Sequence, residues 1–366
     1  QEGGEFDGRA FALTSSSKNM LTRLGVWQDL EPSSQAMSTI KVSDSKLGAA
    51  ARPILLHFDH GETDPQSMSY MVEHRVLHNS LVNNLRENTS VEIFSNETSR
   101  LGDLTGPVCE IELLEQGRTL KTRLIVACDG KNSPAREHAG IKTFGWSYNQ
   151  TGIVTTVHHE KPHNGVAEEH FLPAGPFAIL PLHGNMSSLV WTEESATAQK
   201  LLQADDETFK KEISLRFGDH LGELEIIGGR FGYPLSMFLA QDYYKDRLVL
   251  IGDSAHVIHP IAGLGLNLGF RDIAALTDVI KEAFLLGLDF GAGDVLERYQ
   301  KWRRFDNIAV ALATDGLNRL FSNDHDAVRR LRDIGLKAVD KAEPLKKVFM
   351  QEASGLTGEV PSLMRR

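Results

Sequence analysis

Leu248 to Asp272 reads LVLIGDSAHVIHPIAGLGLNLGFRD, and the reading of this stretch decides the fold. Leu248 to Ile251 is a short, continuous apolar run between Arg247 and Gly252-Asp253. Such a run, too short for a helix and closed by turn residues, reads as a fully buried strand of a parallel sheet. In open parallel sheets the carboxyl ends of the strands face the ligand crevice. The carboxylate of Asp253 is therefore placed to accept a hydrogen bond from a ligand hydroxyl such as a ribose or ribityl chain. One charged hydrogen bond contributes about 1.5–3 kcal/mol, enough to orient a cofactor and too little to hold it. A Gly-Asp pair serves equally well as a cap on the following turn.

The residues after Pro260 bear on this choice. Gly263, Gly265 and Gly269 alternate with Leu264, Leu266, Asn267 and Leu268, and the segment opens an amphipathic helix running to Leu286. Small residues let backbone approach a flat ligand. The first N–H groups of the helix lack internal partners and carry partial positive charge, which suits the anionic edge of a reduced flavin or a phosphate. The spacing is Gly-x-Gly-x-x-x-Gly, and about ten residues separate it from the strand, so it is no dinucleotide-binding first turn.

Working outward, Leu124 to Cys128 (LIVAC) is a second buried-strand candidate, closed by Asp129-Gly130. Arg75 to Leu85 has helical periodicity, and strands mixed with helices in this way point to an α/β core. The middle third differs. Gly152 to Val157, Phe177 to Leu182 and Ser188 to Thr192 are strand-like, with His183-Gly184-Asn185 as a turn, and predict a second, antiparallel sheet. Asp205 or Asp206 caps a predicted helix to Phe217, with Phe209 and Leu215 on its inner side. From Asp294 onward the pattern is helical, interrupted at Gly316, Gly335 and Pro344.

The bulk properties fit a globular chain of two domains: 366 residues, 41% hydrophobic, net charge -10. That acidic balance argues against nucleic acid, whose phosphates require clustered Lys and Arg. Cys109 and Cys128 are the only cysteines, and the second closes an apolar run, so a disulfide framework is not expected and a reducing, cytoplasmic location is. No run approaches the roughly 18–20 apolar residues of a membrane span. His256 and His259 lack a Cys or carboxylate at ligand spacing, so no metal is expected.

GDSAHVIHPIAGLGLNLGFRD resembles the second flavin-binding motif of the class A FAD-dependent aromatic monooxygenases, in particular the ubiquinone-biosynthesis hydroxylases with the para-hydroxybenzoate-hydroxylase-like fold. LIVACDGKNSPAR, from Leu124 to Arg136, is similar to the family's Asp-Gly motif. The resemblance implies that Asp253 binds the ribityl chain and that Pro260, Gly263, Gly265, Leu266 and Asn267 line the isoalloxazine. It places Asp129 near the pyrophosphate and the nicotinamide donor. Arg9, in Asp7-Gly8-Arg9-Ala10, and Arg75, in His74-Arg75-Val76-Leu77, match arginines on the phosphate and ribityl side. A surface ion pair is the competing account of both, and Arg136 suits either a phosphate or a solvated helical face. FLPAGPFAILPL, from Phe171 to Leu182, resembles the sheet that closes over the flavin ring. Leu180 and Pro181, with His259, are then candidates for the substrate pocket, and Ile179 for the core.

The implied architecture is α/β, a parallel-sheet FAD-binding domain from residues 1–40, 70–150 and 242–325, and a β-rich substrate domain from 41–69 and 151–241. A C-terminal helical segment, 326–366, follows. Its basic residues suit a membrane surface, a partner of a biosynthetic complex or a second copy of the chain, and equally a solvated face. The implied activity is hydroxylation of a lipophilic polyprenyl phenol by way of a flavin C4a-hydroperoxide, with FAD as cofactor, NAD(P)H as electron donor and no dedicated catalytic triad. A flavin oxidase or reductase on the same fold, or a non-catalytic scaffold subunit, are the alternatives. Family members begin with a strand, a Gly-x-Gly-x-x-Gly turn and a helix that the present sequence does not contain. The expectation is that these 366 residues alone bind FAD weakly. The flavin absorbance of the purified chain checks this, with far less than one FAD per chain expected and stoichiometric FAD overturning it.

Overall fold

The computed structural model describes residues 9–45, 47, 53–59, 69–322, 355 and 358–365. The chain opens with β1 (Ala10–Leu13), α1 (Ser15–Arg23), α2 (Trp27–Leu30) and β2 (Gln35–Met37). β3 (Thr39–Asp44), β4 (Ile54–Asp59) and β5 (Ser69–Glu73) lead into α3 (His74–Glu87). A meander of β6 (Ser99–Leu101), β7 (Cys109–Leu113) and β8 (Arg118–Thr122) precedes β9 (Ile125–Ala127) and α4 (Pro134–His138). Then come β10 (Thr143–His159), β11 (Val166–Leu172), β12 (Gly175–Leu182) and β13 (Met186–Glu194). After α5 (Ser195–Gln203) and α6 (Asp206–Phe217) follow β14 (Leu224–Ile226) and β15 (Phe231–Ala240). β16 (Tyr244–Lys245), β17 (Leu248–Leu250), β18 (His256–Val257), α7 (Gly265–Leu285) and α8 (Gly293–Phe321) complete it.

β9 and β17 pair in parallel, Ile125 opposite Leu248 and Ala127 opposite Leu250. Both strands thus lie where the short apolar runs place them, and their shared core includes Ala275, Leu276 and Val279 of α7 and Leu296 and Tyr299 of α8. One half of the expectation fails. The side chain of Val126 is 40% exposed and Cys128 is also exposed, so β9 is covered on one face only.

The larger sheet runs β18-β15-β10-β13-β12-β11-β3-β4, with β14 also on β10, and is antiparallel except for the parallel pair β3 and β11. Its two faces are distinct because side chains alternate along each strand. Ile153, Phe177, Ile179, Leu189 and Trp191 pack under α5 and α6. Ala167, Leu180 and Leu182 pack on the other face against Met37 of β2, Met71 of β5 and Ala10 and Ala12 of β1.

Two helical expectations are corrected. Asp205 caps α6, accepting from the Thr208 amide at 2.7 Å, but Leu215 is 45% exposed. The inner face at helical spacing is Phe209, Ile213 and Phe217, and Leu215 lies opposite it. Gly316 does not interrupt α8. A helix-interior glycine costs only about 1 kcal/mol relative to Ala, and the flanking residues are anchored: Trp146 donates to Asp315 at 3.2 Å and Asn318 to Gln150 at 3.0 Å. Gly335 and Pro344 lie outside the described residues.

α7 and α8 are tied to the parallel strands by Asp272. One carboxylate oxygen accepts from Arg303 Nε at 2.8 Å and Asn307 at 3.2 Å, the other from His256 Nε2 at 2.6 Å and the Gly252 amide at 3.1 Å. Burial alone would raise the Asp272 pKa, yet His256 and Arg303 hold it at about 2. Asp272→Asn leaves buried Arg303 with one carboxylate, that of Asp306 at 2.8 Å, in place of two, and takes the charge from the oxygen that His256 and the Gly252 amide share. It is expected to cost about 3–5 kcal/mol, read as a lower urea midpoint with an unchanged slope.

Candidate flavin site

The parallel pair brings the two predicted acidic turns to one edge. Asp129 follows β9 and Asp253 follows β17, so both carboxylates issue from adjacent carboxyl ends. The turns are stitched together: Ser254 Oγ donates to the Ala127 carbonyl at 2.8 Å, and the Ile251 amide to the same carbonyl at 3.1 Å. Arg136 completes the stitch. It is buried, donates to the carbonyls of Ser254 at 2.8 Å and Lys131 at 2.9 Å, and stacks on Phe238. It is thus neither a phosphate ligand nor a solvated surface residue, since its guanidinium serves the protein's own carbonyls.

Asp129 accepts from the Ala135 amide at 3.0 Å and so also caps the short α4. The Asp253 side chain reaches solvent, yet protein surrounds it closely enough for desolvation to raise its pKa, against the pull of His256 and Lys131. A carboxylate both accessible and crowded is open to a hydrogen bond from a ligand hydroxyl.

Past β18 the backbone turns at Pro260–Ala262 and enters α7 through Gly263, which has a left-handed φ of +61°. A Cβ there would stand 3.4 Å from Ala12 of β1. Leu264, the N-cap residue, offers no side-chain cap, and around Gly265 a Cβ would meet nothing within 4 Å. Uncapped amides beside open space are what an anionic, planar group needs. Asn267 has a different task. Its side-chain oxygen accepts from the Thr14 amide at 2.9 Å and Ser17 Oγ at 2.8 Å, and its nitrogen donates to Ala12 at 2.7 Å and Gly263 at 3.2 Å. With the amide fully committed to the protein, Asn267 fixes the turn against β1 and its side chain does not line the ring. Leu266 is half-buried and packs toward Leu13 and Phe270.

Arg9 and Arg75, distant in sequence, become neighbours because β1 and β5 pair with Ala10 opposite Glu73. Arg9 bonds His74 Nδ1 at 3.1 Å, and its carbonyl accepts from the His74 amide at 2.9 Å. Arg75 is exposed and lines a groove of about 340 Å³ with Glu73, Thr156, Leu182, Met186 and Ile227. These arginines therefore form a second group, at the far end of β1 from Gly263.

The substrate candidates separate. Leu180 is on the face toward β1 and β5, whereas Pro181 is level with Ser187, whose hydroxyl contacts His159 on the opposite face. Strand alternation permits only one of two consecutive residues to face the flavin side, so Pro181 is not pocket lining. His259 is fully buried, edge-on to Tyr148 at 5.0 Å between ring centroids. Among the described residues neither of its ring nitrogens has a hydrogen-bond partner. Sequence reasoning missed Tyr148 and Asp272, both brought in from other elements; the Asp closing the motif at Arg271-Asp272 was the available signal.

The site defines a flavin-binding protein, and the comparisons agree. The family described as FAD binding domain matches residues 3–304, and the chain belongs to it. Within that family it is an FAD-dependent aromatic monooxygenase. It is 42% identical to ubiquinone hydroxylase UbiL of Rhodospirillum rubrum, over 98% of this chain and 83% of the relative. It is 31% identical to 3-demethoxyubiquinol 3-hydroxylase of Escherichia coli, over 96% of this chain and 88% of the relative. In fold it is similar to p-nitrophenol 4-monooxygenase PnpA from Pseudomonas putida, with a TM-score of 0.78, 18% identity and coverage of 98% and 91% of the two chains.

Burial holds the His259 pKa down at about 4, against an ordinary 6.5. Between those values the unfolded chain binds a proton that the folded chain excludes. Stability is therefore complete above about pH 6.5 and falls as the pH drops toward 4, by about 3 kcal/mol in all. Thermal melts of His259→Gln over this range are expected to show a shallower loss than the wild type.

Proposed function

We propose that this protein hydroxylates the aromatic ring of a polyprenyl phenol or quinone precursor in ubiquinone biosynthesis, using FAD, NAD(P)H and dioxygen. The observation that carries the reading is the apolar face of the nine-stranded sheet, which brings Leu180 toward Ala12 and the Pro260–Gly265 turn and continues past the covered Ala167 and Leu182 into the partly buried Val42, Val190 and Val154. A prenylated ring suits such a floor, and the identity with named ubiquinone-pathway hydroxylases supports the same substrate class.

Bound here, FAD would supply dioxygen activation and transfer of one oxygen atom to the ring. The residues present fit that cofactor: Asp253 would accept from a ribityl hydroxyl, and the uncapped α7 amides would meet the anionic edge of the ring. The protein's own tasks are to orient and to exclude water. Asn267 fixes the turn, and the sheet face keeps the pocket dry. No helix among the described residues is long and apolar enough to cross a membrane. Phe284, Leu285 and Leu286 are 67%, 73% and 65% exposed at the end of α7, which supports peripheral contact with a lipid surface or a partner of the pathway.

The test supplies a short-tailed prenylphenol, excess FAD, NAD(P)H and isotopically labelled dioxygen, to the chain alone and to one extended by an N-terminal βαβ unit of about 35–40 residues. Phenol-stimulated NAD(P)H oxidation with one labelled oxygen in the product is expected of the extended chain. Hydrogen peroxide as the sole oxygen product would identify an oxidase.

A further inference from the structure

Glu169 lies inside the nine-stranded sheet, in β11, directly opposite Val42 of β3 on one side and Ala178 of β12 on the other. Alternation puts it on the same face as Ala167, which packs with Met37 and Met71 under β2 and β5. Its carboxyl is therefore on the side of the sheet that faces the flavin turn. The transverse row through it reads Leu56, Val42, Glu169, Ala178, Val190, Val154, so the carboxyl is the one polar side chain in an apolar strip. Glu169 itself and Val42, Val190 and Val154 are only partly buried, so this part of the strip is not sealed core. Phe171, two residues further along β11, stacks on Phe321 of α8 at 3.9 Å and closes one end.

A carboxylate held among apolar groups without a counter-charge is costly, and such groups cluster at functional sites. Burial alone pushes Glu169 up to about 8; no neighbouring charge or hydrogen bond contributes. Other ionisable groups on this side leave it untouched: Asp44 level with Phe171, Glu73 and Arg75 at the groove, and Asp315 of α8, which is paired with Arg319.

We propose that Glu169 receives the ring hydroxyl of the substrate, its carboxylate accepting the O–H hydrogen bond and then the proton as the ring is attacked. This rests on the phenol reading of the preceding section. In the transfer the phenol O–H breaks, the carboxyl O–H forms, and the electron pair stays on the ring oxygen, enriching the carbons that take up oxygen from dioxygen. When the oxygenated ring sheds its C–H proton to solvent and regains aromaticity, the ring oxygen recovers the proton from Glu169. A bare phenol titrates near 10, so an acceptor raised toward that value is better matched than an ordinary carboxylate.

The experiment measures binding of a short-tailed prenylphenol and of its methyl ether to the full chain in excess FAD, by equilibrium dialysis at a series of pH values on either side of about 8. The wild type is expected to prefer the phenol by about tenfold above about pH 8, where the carboxylate is charged, the worth of one charged hydrogen bond, and by less below it. Glu169→Leu should lower the preference to within about twofold. Glu169→Gln, which keeps shape and an acceptor but not the charge, should make the preference independent of pH. Glu169→Gln should also melt higher than the wild type near pH 9 and alike near pH 5, because only the folded wild type retains this proton between its ordinary value of 4.5 and about 8. Equal binding of phenol and ether by the wild type, or a pH-dependent preference that survives Glu169→Gln, overturns the role of Glu169 and leaves the hydroxylase reading standing. Uptake of neither ligand by the wild type overturns the phenol reading itself.

Discussion

A single buried carboxylate sets the geometry on which the rest depends. Asp272 has no exposure to water, and an ion in that position is tolerated only when its oxygens are filled. It accepts from an arginine, a histidine, an asparagine and a backbone amide, drawn from α8, β18 and the turn after β17. Each partner is an anchor. The Gly252 amide fixes the turn that presents Asp253, and His256 fixes the start of the path to Pro260. Arg303 and Asn307 hold α8 against the parallel strands, with Asn307 reaching on to the Tyr243 hydroxyl at 3.2 Å. The close approach of Gly252 to Gly269, where a Cβ on the latter would stand 3.4 Å from the Gly252 Cα, brings the turn within reach of α7.

Two sheets with different duties bear on the proposed site. The parallel pair contributes backbone ends and carboxylates, which suit a cofactor's hydroxyls. The antiparallel sheet contributes a broad apolar face, which suits a lipophilic ring. β1 is the hinge of the arrangement. Its Ala12 abuts Gly263, its chain end bonds Asn267, and its side chains pack on the face that carries Leu180. The same sheet buries its other face under α5 and α6, so a large part of its apolar content serves stability alone.

Much of this was legible in sequence where the signal is local. LVLI and LIVAC are strands because short apolar runs closed by Gly-Asp and Asp-Gly have few other uses, and their parallel pairing follows from an α/β setting. The turn and the start of α7 followed from glycines and from Pro260. Arg136 was not legible, because its partners are carbonyls of two separate turns. Nor was the role of Asn267, since a side-chain amide beside a glycine-rich turn reads the same whether it meets ligand or protein. Pro181 was misplaced for want of a register: alternation demands that Leu180 and Pro181 diverge, but which of them faces the flavin depends on what packs over each face.

The sequence by itself therefore determined the elements, the flavin motif and the family, because these rest on local periodicity, turn chemistry and a long contiguous stretch. Only the tertiary structure decided which charges are satisfied and which stand alone. Asp272 and Glu169 are both acidic residues within apolar surroundings, alike in one dimension. Among the described residues folding gives the first four donors and the second none, and that difference makes one a structural clamp and the other the candidate for a substrate contact.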